Sequence, residues 1–183
     1  MTDKLIILDR DGVINFDSPH HIKTPEEWIP IPGSLEAIGK LKNYGWTVTI
    51  ATNQSGIGRG LMTFNDLFKI HNKMLNSIRQ FGGEIDGIFF CPHHPDYNCE
   101  CRKPKPEMLI DICNRFRFDT KDCIFVGDSL RDLLAAKFIN AKTFLVLTGN
   151  GQKTLDEHKT GLTSLPKNVE IFDDLLSVIK KIT

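Results

Sequence analysis

Short apolar runs that alternate with helix-like segments constrain this chain more than any other feature. Leu5 to Leu8 is a continuous apolar stretch stopped by Asp9, the pattern of a strand buried on both faces. Thr47 to Ala51 is rich in β-branched residues and predicts a second strand. Gly87 to Phe90, Ile124 to Val126 and Thr143 to Leu147 predict three more, and Val169 to Ile171 a short closing one. Between them, Pro32-Gly33-Ser34 opens a helix with Leu35, Ile38 and Leu41 at helical spacing. Thr63 is an N-cap with Asp66 three residues on, ahead of the stripe Leu67, Ile70, Met74, Ile78 and Phe81, which Gly82-Gly83 stops. Pro106 starts a helix that buries Leu109, Ile112 and Phe116; residues 129–139 and 175–179 supply two more. Residues 149–167 are polar and poorly periodic, so an ordered surface loop is expected there. The alternation predicts an α/β class: one three-layer, Rossmann-like domain over residues 1–183 around a central parallel sheet.

Lys plus Arg number 23 and Asp plus Glu number 23, so net charge gives no argument for a nucleic-acid or anionic-membrane partner. Met1-Thr-Asp-Lys and the short run after it lack the form of a secretory signal, and no apolar run approaches the roughly 20 residues that span a bilayer. The expected location is therefore cytoplasmic. In that reducing setting the 5 cysteines read as ligands or core residues.

Ligands of such folds sit beyond the carboxyl ends of the strands, which selects Asp9 and Asp11, Thr52 and Asn53, Cys91 onward, and Asp128. Asp9-Arg10-Asp11-Gly12 places two carboxylates on one side of an extended chain, and Gly12 lets the backbone turn. One carboxylate can attack phosphorus while the other moves a proton. Taken alone, the pair fits an ordinary polar turn better. Asp128 shifts that balance, because Asp9 and Asp128 together offer oxygen ligands to a hard cation such as Mg2+. Asp132 ends Ser129-Leu-Arg-Asp132, a helix-capping pattern, and reads as a cap or as a support for its neighbours. Thr52-Asn53-Gln54-Ser55-Gly56 offers hydroxyl, amide and backbone N–H groups to a phosphoryl group. The glycines at 56, 58 and 60 are not a dinucleotide fingerprint, since Leu61 occupies the final position. Arg59 is expected to reach a distal phosphate. Arg102-Lys103-Pro104-Lys105 supplies local positive charge: a Lys near the nucleophile offsets developing charge, and an Arg grips oxygens bidentately.

Cys91-Pro-His93-His94-Pro95 and Cys99-Glu-Cys101 group three thiols with two imidazoles. Three thiolates and one imidazole complete a tetrahedral Zn2+ shell, and a shell closed by protein ligands is structural. A nucleic-acid zinc knuckle is disfavoured by the neutral charge and the lack of interleaved aromatics. His93 is preferred to His94 as the fourth ligand, although spacing leaves both open. Cys113 and Cys123 read as core thiols, while His71 and His158 have no partner in view and receive no role. The cysteine loop runs directly into Arg102 and Lys103, so it is expected to fix that basic segment against the phosphate site.

From about Lys4 to Gly149 the chain resembles the haloacid dehalogenase-like phosphatases. Asp9-Arg-Asp11-Gly-Val looks like the first family motif, Thr52-Asn53 the second, Lys103 the third and Gly127-Asp128 the fourth. Thr52 to Gly60 and the segment from Cys91 to Pro104 are similar to the branch acting on D-glycero-D-manno-heptose 1,7-bisphosphate. The resemblance implies a zinc loop at 91–101 and no large cap domain. It also implies Mg2+ held by Asp9, the Asp11 carbonyl and Asp128, with Zn2+ on Cys91, His93, Cys99 and Cys101. Asp9 would attack phosphorus, and Asp11 would protonate the leaving alcohol and then activate water. Thr52 and Lys103 would hold the transferred group, and Asn53, Gln54, Ser55, Arg59 and Arg102 would contact the rest of the substrate. The implied activity is removal of the 7-phosphate through an aspartyl-phosphate intermediate, in ADP- or GDP-heptose biosynthesis for lipopolysaccharide or surface glycans. The enzyme would act as a monomer on this small molecule. Ser129 stands where some relatives carry Lys, and the zinc loop is shorter than in some, which leaves the sugar anomer open. Histidinol-phosphate phosphatase is the alternative within the family. A phospho-accepting receiver or an inactive binding module is the alternative outside it, disfavoured because Phe90 leads into a cysteine loop and both Asp9 and Asp11 are present.

Overall fold

The structure is a computed structural model and describes residues 4–183. Its strands are β1 (Lys4–Leu8), β2 (Trp46–Asn53), β3 (Gly87–Cys91), β4 (Cys123–Gly127), β5 (Lys142–Val146) and β6 (Glu170–Phe172). They form one sheet in the order β3-β2-β1-β4-β5-β6, and every pairing is parallel. Parallel pairing needs crossover connections, supplied here mostly by helices. These are α1 (Ser34–Asn43), the single turn α2 (Ser55–Gly58), α3 (Phe64–Gln80), α4 (Glu107–Phe116), α5 (Leu130–Phe138), α6 (Gly151–Lys159) and α7 (Leu175–Ile182).

Side-chain alternation along β1 divides the core into two layers. Ile6 and Leu8 join Ile38 and Leu41 of α1, Ile70 and Met74 of α3, and Val178 of α7 on one face. Leu5 and Ile7 join Leu109 and Ile112 of α4 and Ala135 and Ala136 of α5 on the other. Both faces of β1 are thereby covered, which is why its apolar run is continuous. The predicted cap of α3 is present: Asp66 N–H donates to Thr63 Oγ1 at 3.2 Å, and Thr63 N–H to Asp66 Oδ2 at 3.0 Å.

The loop expected over residues 149–167 is corrected by α6. That helix buries little beyond Gly151 and Thr154, so it has no apolar stripe from which periodicity could be read. It starts against the sheet end: a Cβ on Gly151 would lie 1.7 Å from the Val146 carbonyl oxygen, so only glycine fits. The sheet order reverses direction between β1 and β4. This opens a crevice beyond their carboxyl ends, with Asp9 and Asp128 on its two sides.

Candidate active site

Asp9 follows β1 directly, and its backbone N–H donates to the Val126 carbonyl of β4 at 2.9 Å, so it still sits in the sheet register. Its Oδ1 accepts from the Arg10 backbone N–H at 2.7 Å and from Lys103 Nζ at 3.0 Å. Both contacts fall on Oδ1 and none on Oδ2. Lys103 is fully buried, with Nζ also 2.7 Å from Asp132 Oδ1 and 2.7 Å from the Ala51 carbonyl. Burial alone would lower the Lys103 pKa, but Asp132 and Asp9 outweigh it and hold the ammonium charged.

Asp9, Asp128 and Asp132 each present a carboxylate oxygen within 4.8 Å of the others. Burial, then the charge of Asp132, pushes Asp9 up to about 7, and burial with Asp132 and Asp9 pushes Asp128 up to about 8. Asp128 Oδ2 accepts from the Asn150 backbone N–H at 2.7 Å, whereas Oδ1 is buried with no hydrogen-bond partner among the described residues. A buried orphan oxygen beside further carboxylates fits a divalent cation, whose charge would reverse both shifts. Asp132 does two things: it completes the α5 cap with Ser129 and neutralises Lys103.

Asp11 faces the cavity with an ionised carboxylate. Burial would raise its pKa, but the Arg10 charge and hydrogen bonds from Asn15, Arg10 and Gln54 outweigh it and hold it low. Thr52 and Gln54 leave β2 together, Gln54 Nε2 donating to Thr52 Oγ1 and to Asp11 Oδ2, each at 2.9 Å. Asn53 uses both ends of its amide on the Lys103 backbone, at 3.0 and 3.2 Å, and so ties the basic segment to the strand end. The cavity above Asp9 is lined on one side by Asp11, Thr52, Asn53, Gln54, Ser55 and Arg102. Lys103, Asp128 and Asp132 are buried around Asp9 and are not among its lining residues. Arg59 is exposed and does not line the cavity either, so the structure does not bring it to the site. Asp17, Ser18, His21 and Arg131 do line it, and sequence reasoning passed over them. Arg131 lay unmarked inside the capping pattern, and residues 17–21 belong to a loop with no periodic signal.

Beside this site, Cys91, His93, Cys99 and Cys101 converge so that one ligand atom from each lies within 4.8 Å of the rest. His93 Nδ1 is 3.7 Å from Cys91 Sγ and 3.3 Å from Cys101 Sγ, and Cys99 Sγ is 3.4 and 3.6 Å from those sulfurs. Tetrahedral bonds of about 2.0 to 2.3 Å imply edges of roughly 3.3 to 3.8 Å, so the donor set fits a zinc-sized ion. His94 lies outside the cluster, accepting from the Asp96 backbone N–H and tilted against the Tyr97 ring. Burial, then the neighbouring thiols, pushes Cys101 up to about 12, which a bound cation would reverse.

A family model described as HAD-hydrolase-like matches residues 100–177. A D-glycero-beta-D-manno-heptose-1,7-bisphosphate 7-phosphatase from Neisseria meningitidis is 52% identical over 173 residues, covering 94% of this chain and 91% of its own. Its counterpart from Bordetella bronchiseptica is 49% identical over 179 residues, 98% of this chain and 97% of its own. The chain belongs to the haloacid dehalogenase-like phosphatases. It is accordingly a phosphoric monoester hydrolase. Among solved structures, D,D-heptose 1.7-bisphosphate phosphatase from B. bronchiseptica, complexed with magnesium and phosphate, aligns with TM-score 0.93 and 49% identity over 98% of this chain and 97% of that one. The Burkholderia thailandensis enzyme aligns with TM-score 0.77 and 41% identity over 98% of each chain. As in a haloacid dehalogenase-like phosphatase without a large cap, the crevice here is walled by the chain's own loops.

Proposed function

We propose that this phosphatase removes the 7-phosphate of D-glycero-β-D-manno-heptose 1,7-bisphosphate, with Mg2+, through an aspartyl-phosphate intermediate. The observation that carries the chemistry is Asp9: its Oδ1 is held by Lys103, its Oδ2 carries no such contact, and one of its carboxylate oxygens lies within 4.8 Å of one from Asp128. Relatives near 50% identity over almost the whole chain, named for this substrate and this anomer, support the specificity.

Asp9 Oδ2 attacks phosphorus, the bond from phosphorus to the sugar C7 oxygen breaks, and Asp11 gives its proton to that oxygen. Asp11 is ionised in the free enzyme, so it takes up this proton as the phosphate dianion enters and raises its proton affinity. Asp11, now a carboxylate, removes a proton from water; the water oxygen attacks phosphorus, and the Asp9–phosphorus bond breaks to release phosphate. Mg2+, held by Asp9, Asp128 and the Asp11 carbonyl, would neutralise charge on the phosphoryl oxygens. Lys103 and Thr52 do the same from the protein side. Arg102 Nη1 is buried without a partner among the described residues, and Arg131 lines the same cavity. These two guanidiniums suit the phosphate that is not transferred.

Zn2+ on Cys91, His93, Cys99 and Cys101 would hold the loop that delivers Arg102 and Lys103. A reduced thiol cluster of this kind suits the cytoplasm. No helix among the described residues is long and apolar enough to cross a membrane. We read the chain as one catalytic domain acting as a monomer, upstream of nucleotide-activated heptose. The test compares phosphate release from both anomers of the bisphosphate and from histidinol phosphate, with Asp9→Asn as the control. Preference for histidinol phosphate would overturn the substrate, and activity in Asp9→Asn would overturn the mechanism.

A further inference from the structure

The buried face of α3 consists of Leu67, Ile70, Met74 and Ile78, with one polar exception, His71. Its imidazole lies edge-on to Phe90 of β3, with ring centroids 6.1 Å apart, and it is 5% exposed. Leucine or phenylalanine would serve the packing of such a position as well, so burial alone does not call for an imidazole.

The reason lies across the core in Arg10, which is wholly buried. Its Nε and Nη2 donate to Asp11 Oδ1 and Oδ2, each at 3.0 Å, in a two-pronged pairing. Its Nη1 faces His71 Nε2 at 3.4 Å. A buried guanidinium needs acceptors for its remaining N–H groups, and a neutral imidazole supplies one without adding charge. Burial and the Arg10 charge hold His71 down at about 3, so Nε2 is an acceptor and the proton sits on Nδ1. Asn15 Nδ2 donates to Asp11 Oδ1 at 2.8 Å and Gln54 Nε2 to Oδ2 at 2.9 Å. In the free enzyme each Asp11 oxygen therefore takes one bond from Arg10 and one from a side-chain amide, which fixes the carboxylate's orientation; an amide bond gives way when Asp11 takes up its proton, and the Arg10 fork remains.

We propose that Arg10 and His71 are positioning residues for the acid–base carboxylate, His71 anchoring Arg10 to α3 and β3 so that Asp11 points at the leaving oxygen. The inference rests on the role given to Asp11 above. Misplacing a proton donor penalises a poor leaving group, such as a sugar alkoxide, and spares one that departs unaided, such as 4-nitrophenolate.

The experiment measures kcat/KM for the sugar bisphosphate and for 4-nitrophenyl phosphate in the wild type, His71→Leu and His71→Gln. His71→Leu is expected to lose on the order of 10- to 100-fold on the sugar substrate and less than about 3-fold on the aryl one. His71→Gln returns an acceptor to Arg10 and is expected to recover most of the sugar activity. Equal losses on both substrates, or no loss on either, would overturn the proposal. Asp11→Asn separates the two levels. If it discriminates between the substrates and His71→Leu does not, the positioning role alone is wrong. If Asp11→Asn lowers both alike, the proton-donor role beneath it is wrong as well.

Discussion

Gly12 and Asp128, 116 positions apart in sequence, touch so closely that a Cβ on Gly12 would lie 2.0 Å from Asp128 Oδ2. Gly12 also has φ +82°, which an L side chain rarely adopts. Gly12→Ala should therefore displace the carboxylate proposed to hold the cation. A misplacement of about 1 Å corresponds to roughly 100-fold in rate, so kcat should fall by at least that much. Calorimetric titration should show weaker Mg2+ binding, and unchanged binding would refute the link.

Lys103 sits between Asp9 and Asp132 with no solvent contact of its side chain. Lys103→Met leaves two buried carboxylates without their counter-charge. Stability should drop by about 3 to 5 kcal/mol, measured by urea unfolding, and phosphate release should be lost. A fully stable Met variant would mean that the pair is not compensated through Lys103.

The raised values of Asp9, about 7, and Asp128, about 8, give the metal-free protein a defined pH response. A carboxyl group that holds its proton more tightly when folded stabilises the fold fully below its unfolded pKa, roughly 4. That contribution is lost as pH rises through the folded values. Asp11 and Asp132 are shifted low, so their contributions are present above the ordinary value and lost on acidification below it. In a chelator, thermal melts should show stability falling between about pH 4 and 8 from these two groups. Mg2+ displaces their protons, so its stabilising effect should grow over the same interval. A flat Mg2+ effect would count against Asp9 and Asp128 as ligands.

The cysteine cluster should act on substrate affinity through the Arg102 segment. Cys99→Ala or Cys101→Ala is expected to remove zinc, seen by elemental analysis, and to raise KM more than it lowers kcat. Full activity in a zinc-free variant would show that the loop does not position Arg102.

Much of the site was legible because its residues follow strands whose apolar runs announce themselves. Asp9, Thr52 and Asp128 each lie at or just past the end of β1, β2 or β4 in the observed sheet. The same local signals found the Thr63–Asp66 cap and the three cysteines of the cluster. Spacing leaves His93 and His94 both open, and the loop's path brings the preferred His93 to the cluster while His94 lies by Tyr97. Arg59 is expected to reach a phosphate from its place in a glycine-rich stretch and from the family resemblance, and the turn of α2 leaves it outside the cavity. Arg131 and Asn150 carry no local signal because their contacts are made across the chain, as when Asn150 donates to Asp128, and α6 carries none because it has no apolar stripe.

By itself the sequence determined a parallel α/β sheet and a pair of carboxylates after its first strand, because strand burial and motif spacing are local properties. Only the tertiary structure decided that Asp11 is clamped by Arg10, Asn15 and Gln54 and that His71 stands behind Arg10. Those partners lie up to 61 positions apart along the chain, and hydrogen bonds over such separations exist only once the layers have packed.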